Sequence, residues 1–314
     1  MQGKDKPSAS EEKHTQSANE AVRLATFDQY RGLLFSVAYR MLGSVADTED
    51  MLQETFIRWQ QASIEEVRSP RAFLVTIITR LCINHLQSAR VQREEYVGEW
   101  LPEPLVTDPA SDPLGVVKID ESLSMAFLLL LERLTPMERA VFLLREVFDY
   151  EYAEIAEVLG QNEANCRQIR RRAQQHVGDI RRRFDASAQQ RNELLKQFIQ
   201  ATRKGELQGL VDLLSSEAVL HTDGGGKAIA VPSLVEGAEN VAAIILNRMS
   251  TVVPKDLVTR LAQINGQPGI VSYRQGKPFS VLSLEIVGGH IKAIYVVTNP
   301  QKLAHLQDLP TAPH

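Results

Sequence analysis

Cysteine is scarce in this chain. Only Cys82 and Cys166 occur among 314 residues, each inside a stretch with helical periodicity. That excludes a disulfide framework and a cysteine-based zinc site, and it suits a reducing cytosol. Long apolar runs are missing as well, since nothing approaches the roughly 18 residues a membrane span requires. The opening MQGKDKPSASEEKHTQSANE has no apolar centre, so it reads as a disordered tail over 1–20, not a signal peptide or membrane anchor. Charge of one sign is not in large excess either. The formal net charge is −4, which alone gives no reason to expect nucleic acid. The distribution does, because acids and bases are segregated. Arg71 through Arg93 holds four arginines and no acid, and Asn162 to Phe184 holds seven arginines against two acids.

The most structured stretch is LTPMERAVFLLREVFDYEYAEIAEVLGQNEANCRQIRRRAQQH, residues 134–176. Tyr152 to Leu159 forms two turns of amphipathic helix, with Ile155, Ala156, Val158 and Leu159 as its apolar side. Gly160 supplies the left-handed corner that ends it, and Asn162 caps a second helix over Glu163–His176. Cys166 and Ile169, three apart, face inward. Asn165, Arg167, Gln168, Arg170, Arg171 and Arg172 face outward, where Arg, Asn and Gln reach base edges and further arginines hold phosphates. This is a helix-turn-helix whose second helix lies in the major groove.

Earlier in the chain, Leu24 to Met41 repeats apolar residues at three- and four-residue intervals, ending at Gly43-Ser44. Asp47 is placed to cap the next helix, whose exposed side carries Asp47, Glu49, Asp50 and Glu54. That acidic face suits a basic partner surface. Ser69-Pro70 opens a third helix. Its polar residues include Arg80, Asn84, His85 and Arg90, a basic and amide-bearing face that suits an opened nucleic-acid strand. Tyr96 to Val117 has four prolines and two glycines and reads as a linker, yet Trp100, Leu101 and Leu105 are large apolar groups that a plain linker would not expose.

The composition changes after about residue 188. Helices over 193–203 and 205–214 precede short alternating runs at 218–222, 257–264, 269–274, 279–287 and 290–298, with a helix at 239–249 among them. Gly288-Gly289 marks a hairpin between the last two runs. Helices wrapped by a curved antiparallel sheet make an α+β unit with room for a cavity. His221 and Asp223 close a strand beside Gly224-Gly225-Gly226-Lys227. They are conceivable acid–base residues, but the glycines also explain themselves as a loop approached closely by another segment. The GxxxxGK[ST] phosphate pattern is absent.

SVADTEDMLQETFIRW, SPRAFLVTIITRLCINHLQSARVQR and the 134–176 stretch, in that order, resemble an extracytoplasmic-function RNA polymerase sigma factor over about residues 24–183. WLPEPL at 100–105, DGGGK at 223–227 and NPQKL at 299–303 resemble the subgroup with a fused SnoaL-like extension. The resemblance implies a fold of two all-α sigma domains followed by a cone-shaped α+β SnoaL/NTF2-like domain. The divisions are a tail 1–20, region two at 21–95, a linker 96–118, region four at 119–186 and the regulatory domain at 188–308. It implies a cytoplasmic subunit that partners core RNA polymerase and promoter DNA, with no membrane and no cofactor, metal or catalytic residue. Asp47, Glu49, Asp50 and Glu54 would contact core polymerase. Arg80, Asn84, His85 and Arg90 would contact the −10 element, and the 163–176 helix the −35 element. Trp100, Leu101 and Pro102 would dock on Asp223, Gly224, Gly225, Gly226, Lys227, Asn299 and Pro300, so that the third domain regulates the other two in cis. An unknown small ligand in its cavity is part of that expectation. Arg80 and Asn84 stand where many relatives carry Asn and Asp, and Gln301 where Asp is usual. Two competing readings are a ligand-sensing DNA-binding regulator, which leaves the acidic and basic helices unexplained, and an enzymatically active SnoaL-like domain using His221 and Asp223.

Overall fold

The structure, a computed structural model, describes residues 9–63, 67–94, 96–107, 121–177, 187–228, 231 and 234–309, and side chains from residue 20 to 88 and beyond 95 within those spans. The side chain of Arg90 lies outside the described residues.

Helix α1 spans Ala9–Leu42. It therefore begins within the stretch expected to be a tail; residues 9–20 include three Glu and two Ala and hold no Gly or Pro, so nothing in them breaks a helix. Helix α2 spans Val45–Gln61. Its cap is Ser44 and not Asp47: the Ser44 hydroxyl accepts from the Asp47 amide at 3.1 Å, because the helix starts early enough to put Asp47 at its third position. Helix α3 spans Pro70–Glu94. After the linker come α4 (Met125–Leu131), α5 (Pro136–Glu146), α6 (Tyr152–Leu159) and α7 (Glu163–Val177). Local chemistry fixes their ends. Thr135 and Glu138 form a capping box before α5, Gly160 ends α6 at φ 64°, and Asn162 Oδ1 accepts from Asn165 N at 2.8 Å to start α7.

The two helical modules share one apolar core. It runs without a break from Phe27 through Leu74, Ile78, Leu123, Phe142 and Ile155 to Val177. Helix α4, MAFLLLL, is apolar all round and is buried except at Leu129, which is half-buried. Phe127, Leu128, Leu130 and Leu131 enter that core, while Met125 and Ala126 point the other way, toward the C-terminal unit.

That unit holds α8 (Ala188–Lys204), α9 (Leu207–Leu213), α10 (Ala238–Thr251) and α11 (Pro300–Leu303) with a seven-stranded sheet. The strands are β1 (Val106–Thr107), β2 (Leu214–Asp223), β3 (Val235–Glu236), β4 (Val258–Ile264), β5 (Gln267–Arg274), β6 (Lys277–Val287) and β7 (His290–Val297). Their order is β1-β4-β5-β6-β7-β2-β3, antiparallel except for the parallel β2–β7 pair. Gly288 and Gly289, both at positive φ, make the expected hairpin turn. Residues of β6 and β7 alternate between the two sides, with a register shift at Glu285/Ile286 that resets the alternation between Ile291 and Ala293. Leu284, Ile286, Ile291 and Ile294 pack on α8 to α10, whereas Val281, Ala293, Tyr295 and Val297 pack on Leu101, Met125, Ala126 and Leu303. The second side of the sheet is thus covered by the linker and by α4. The linker also joins the sheet itself: β1 pairs with β4 through Val106–Ile264 and Thr107–Gln263.

Candidate functional site

The buried centre between the linker and the C-terminal unit is the Asp223 carboxylate, which has no exposed surface. Its Oδ2 accepts from Leu101 N at 2.8 Å and from Lys302 Nζ at 2.6 Å. Its Oδ1 accepts from the Tyr96 hydroxyl at 2.5 Å and from Gly225 N at 3.0 Å. Lys302, 6% exposed, also donates to Leu101 O, and its ammonium lies 4.2 Å from the centroid of the Trp100 ring and 4.9 Å from that of Tyr96. A buried carboxylate is tolerated only with a counter-charge and with its lone pairs satisfied, and both conditions are met here. Lys302 is a member of the NPQKL segment that sequence reasoning quoted but did not single out. The need of Asp223 for a cation was the available signal.

The flanking residues explain the motifs. Asn299 caps α11 and donates from Nδ2 to the Tyr96 hydroxyl at 2.8 Å. Gly225 and Gly226 have φ of 57° and 68°. A Cβ on Gly225 would collide with Asn299 Nδ2, and one on Gly226 would stand 3.1 Å from Val97. Pro102 is buried, and the Trp100 ring rests on Gly43, where a Cβ would be 2.8 Å from it. Lys227 does not take part: it is exposed, and only its backbone amide is engaged, turning the loop onto Gly224 O at 3.0 Å. His221 stacks on Tyr295 and its Nδ1 lies 2.6 Å from Glu99 of the linker. His221 and Asp223, considered from sequence as acid–base candidates, are thus both turned toward linker residues.

The linker grips the first module at the same time. Glu103 N donates to Gly43 O at 2.8 Å, and the Glu103 carboxylate accepts from Val45 N at 2.7 Å and from the Ser44 hydroxyl at 3.1 Å, beside the start of α2. Tyr39 of α1 donates to Glu103 O at 2.6 Å. A further junction was missed altogether in the sequence. Asn265, fully buried, donates from Nδ2 to the Tyr39 hydroxyl at 2.7 Å and to Leu123 O at 3.0 Å, while its Oδ1 accepts from Leu105 N at 3.0 Å. It sits with Gly266 at positive φ in the β4–β5 hairpin, and Asn-Gly is a hairpin dipeptide legible from sequence.

The Tyr96 phenol is held above its ordinary value, first by burial and then by the hydrogen bond to and charge of Asp223. A raised folded pKa means that its contribution to docking is fully present below the unfolded value near 10 and is lost as pH rises through the raised one. A spectrophotometric titration should therefore show a strongly alkaline phenol step that Tyr96→Phe removes. A Tyr96 step at the ordinary value would contradict this.

The DNA-reading candidates occupy two surfaces. On α7, Cys166 and Ile169 are buried as expected, Arg167, Gln168, Arg171 and Arg172 are exposed, and Asn165 and Arg170 are half-buried. Arg167 pairs with Glu163 at 2.6 Å and Arg170 with Glu146 at 2.9 Å. On α3, Asn84 is exposed, His85 Nε2 lies 3.6 Å from Asp47, and Arg80 is bound to the carbonyls of α6. In the acidic set, Glu49 pairs with Arg31 and Glu54 with Arg58, while Asp50 is exposed. Among the described residues, no group of three His, Cys, Asp or Glu is placed to hold a metal, and no helix is long and apolar enough to cross a membrane. A cavity of about 20 Å³ lies where Arg191, Gln267, Ser283, Glu285 and Tyr295 meet α4, large enough for a water.

An arginine-rich helix-turn-helix and a second helix with a basic, amide-bearing face are thus both fastened to an α+β unit. The family model for Sigma-70 region 2 matches residues 26–91, and that for Sigma-70 region 4 matches residues 124–177. The chain belongs to the extracytoplasmic-function RNA polymerase sigma factors, a family that acts with core RNA polymerase on promoter DNA. It is 35% identical over 292 residues to the ECF RNA polymerase sigma factor SigJ of Mycobacterium tuberculosis (strain ATCC 25618 / H37Rv), covering 90% of this chain and 93% of that one. It is 28% identical over 298 residues to SigG of the same species (strain CDC 1551 / Oshkosh), covering 85% and 78%. The crystal structure of Mycobacterium tuberculosis SigJ superposes with a TM-score of 0.74 at 33% identity, covering 90% of this chain and 98% of that one.

Proposed function

We propose that the C-terminal unit regulates this sigma factor in cis by holding its two promoter-reading modules together through the WLPEPL linker. The Asp223–Lys302 pair clamped on Leu101 carries this reading. The modules are taken as 21–95 and 119–186, with the linker at 96–118 and the regulatory domain at 188–308. Arg167, Gln168, Arg171 and Arg172 would read the −35 element with Asn165 and Arg170 beside them. Arg80, Asn84, His85 and Arg90 would read the −10 element, and Asp47, Glu49, Asp50 and Glu54 would meet core polymerase.

Geometry makes opening a requirement of that reading. The −35 and −10 elements lie about 25 base pairs apart, or ~85 Å of B-DNA at 3.4 Å per pair. The whole of α3 is only about 38 Å long at 1.5 Å per residue, and its Arg80 touches α6 directly. The two readers must therefore part before both elements are engaged, and whatever stabilises the linker's docking opposes that step by its differential affinity. A ligand entering the cavity beside α4 would act on the same balance by forcing α4 off the sheet.

The direct test is promoter-dependent transcription by core polymerase with the full chain and with Trp100→Ala. The substitution should raise initiation if docking restrains the modules, and an unchanged rate would overturn the cis reading. Separately, Arg171→Ala should weaken binding to a −35 duplex by about 1–3 kcal/mol, measured by fluorescence anisotropy at fixed salt. Unchanged affinity would remove α7 from the −35 contact.

A further inference from the structure

Two arginines tie the helical modules together in a reciprocal way. Arg139 of α5, 3% exposed, donates to Met41 O at the carboxyl end of α1 at 2.6 Å. Arg80 of α3 donates from Nε to Val158 O at 2.8 Å and from Nη2 to Glu157 O at 3.3 Å, at the carboxyl end of α6. Each module thus places a guanidinium on a helix end of the other, where unbonded carbonyls and the helix dipole favour a cation. The two differ in one respect. Arg139 is sealed inside the joint core, whereas Arg80 lies at the surface, one helical turn from exposed Asn84. The −35 candidates Gln168, Arg171 and Arg172 meanwhile remain exposed on α7.

We propose that Arg80 is a latch shared between closure and promoter opening. In the closed chain its guanidinium holds the first helix of the helix-turn-helix. On the promoter the same guanidinium is taken over by the single-stranded −10 segment, so the two engagements exclude one another. This rests on the assignment of Arg80 to the −10 element above. It imposes an order: the exposed face of α7 meets duplex DNA while the chain is still closed, and single-stranded DNA then competes with the α6 carbonyls for Arg80. Phosphate and base acceptors on a flexible strand also suit a guanidinium, so a single strand can take the place of the α6 carbonyls.

The experiment is energy transfer in the full-length protein between dyes at Gln53→Cys on α2 and Gln174→Cys on α7, both positions exposed and on different modules. The native Cys82 and Cys166 are buried. Without DNA, Arg80→Ala should raise the open-to-closed ratio by at least about tenfold, the worth of one of its two charge-assisted hydrogen bonds, and Asn84→Ala should leave it unchanged. A mixed-sequence single-stranded oligonucleotide should lower transfer in the unsubstituted chain, and a short duplex should bind without lowering it. Unchanged transfer in Arg80→Ala overturns the latch, whatever Arg80 does on DNA. Opening of Arg80→Ala together with undiminished single-strand affinity overturns the assignment of Arg80 to the −10 strand, and with it the sharing. Circular dichroism of each variant separates opening from unfolding.

Discussion

Replacing Asp223 by alanine should release the linker. The variant leaves the Lys302 ammonium, 6% exposed, without its carboxylate, and strips the Leu101 amide and the Tyr96 hydroxyl of their acceptor. Removing one member of a buried ion pair costs about 3–5 kcal/mol, because the surviving charge stays desolvated. Hydrogen exchange at the Leu101 amide should accelerate roughly 150- to 5,000-fold, the kinetic image of that free energy. Full protection of Leu101 in the variant would show that docking does not depend on the carboxylate. A paired substitution makes the cause explicit. Asp223→Leu combined with Lys302→Met removes both charges at similar volume, and it should recover a good part of the loss, as apolar replacements of buried pairs do. Additive losses in the double variant would mean that the two residues act independently.

Asn265→Ala should cost nearly as much, through a different mechanism. The side chain satisfies Leu105 N, Leu123 O and the Tyr39 hydroxyl in a place that water does not reach. Each orphaned buried group costs about 1–3 kcal/mol, and three in one cluster are not additive, so a loss of about 3–4 kcal/mol in denaturant unfolding is expected. The residue also sits at φ 51°, where alanine is strained and glycine is not. Asn265→Gly separates the two contributions. If it is nearly as destabilising as alanine, the hydrogen bonds dominate, whereas a stability within about 0.5 kcal/mol of the unsubstituted chain would show that the junction adds nothing.

Much of this architecture was legible because it is written locally. Gly160 and Asn162 encode the helix-turn-helix corner within three residues, and the Cys166–Ile169 spacing gives the inward side of α7. Gly288-Gly289 encodes its hairpin in the same way. The docking of WLPEPL on DGGGK was also anticipated, yet its chemistry was not, because it depends on partners far apart in sequence. Lys302 reaches Asp223 across 79 positions, and Asn265 reaches Tyr39 across 226. No periodicity reports such pairs. The two-residue strand β1 lay within the linker and was not separately expected, since Val106 and Thr107 become a strand only because the edge of β4 lies opposite. The joint core of the two helical modules was hidden for a similar reason. Apolar stripes on α3 and α6 are equally consistent with packing inside each module, and it is MAFLLLL, apolar on every side, that signals a segment enclosed from two directions.

The position of Lys302 has a consequence for a chain in the course of being made. Helix α7 ends at Val177, and the 125 residues from there to Lys302 must still be added before the clamp on Leu101 acquires its cation. At about 5–20 residues per second this takes ~6–25 s. During that interval each new molecule has the sequence of helices α1 to α7 but not the ammonium that closes the clamp. Closure of the clamp is therefore among the last contacts this polypeptide can make, and every newly translated copy passes through a phase in which the joint apolar core and the two arginines hold the helical modules together without it.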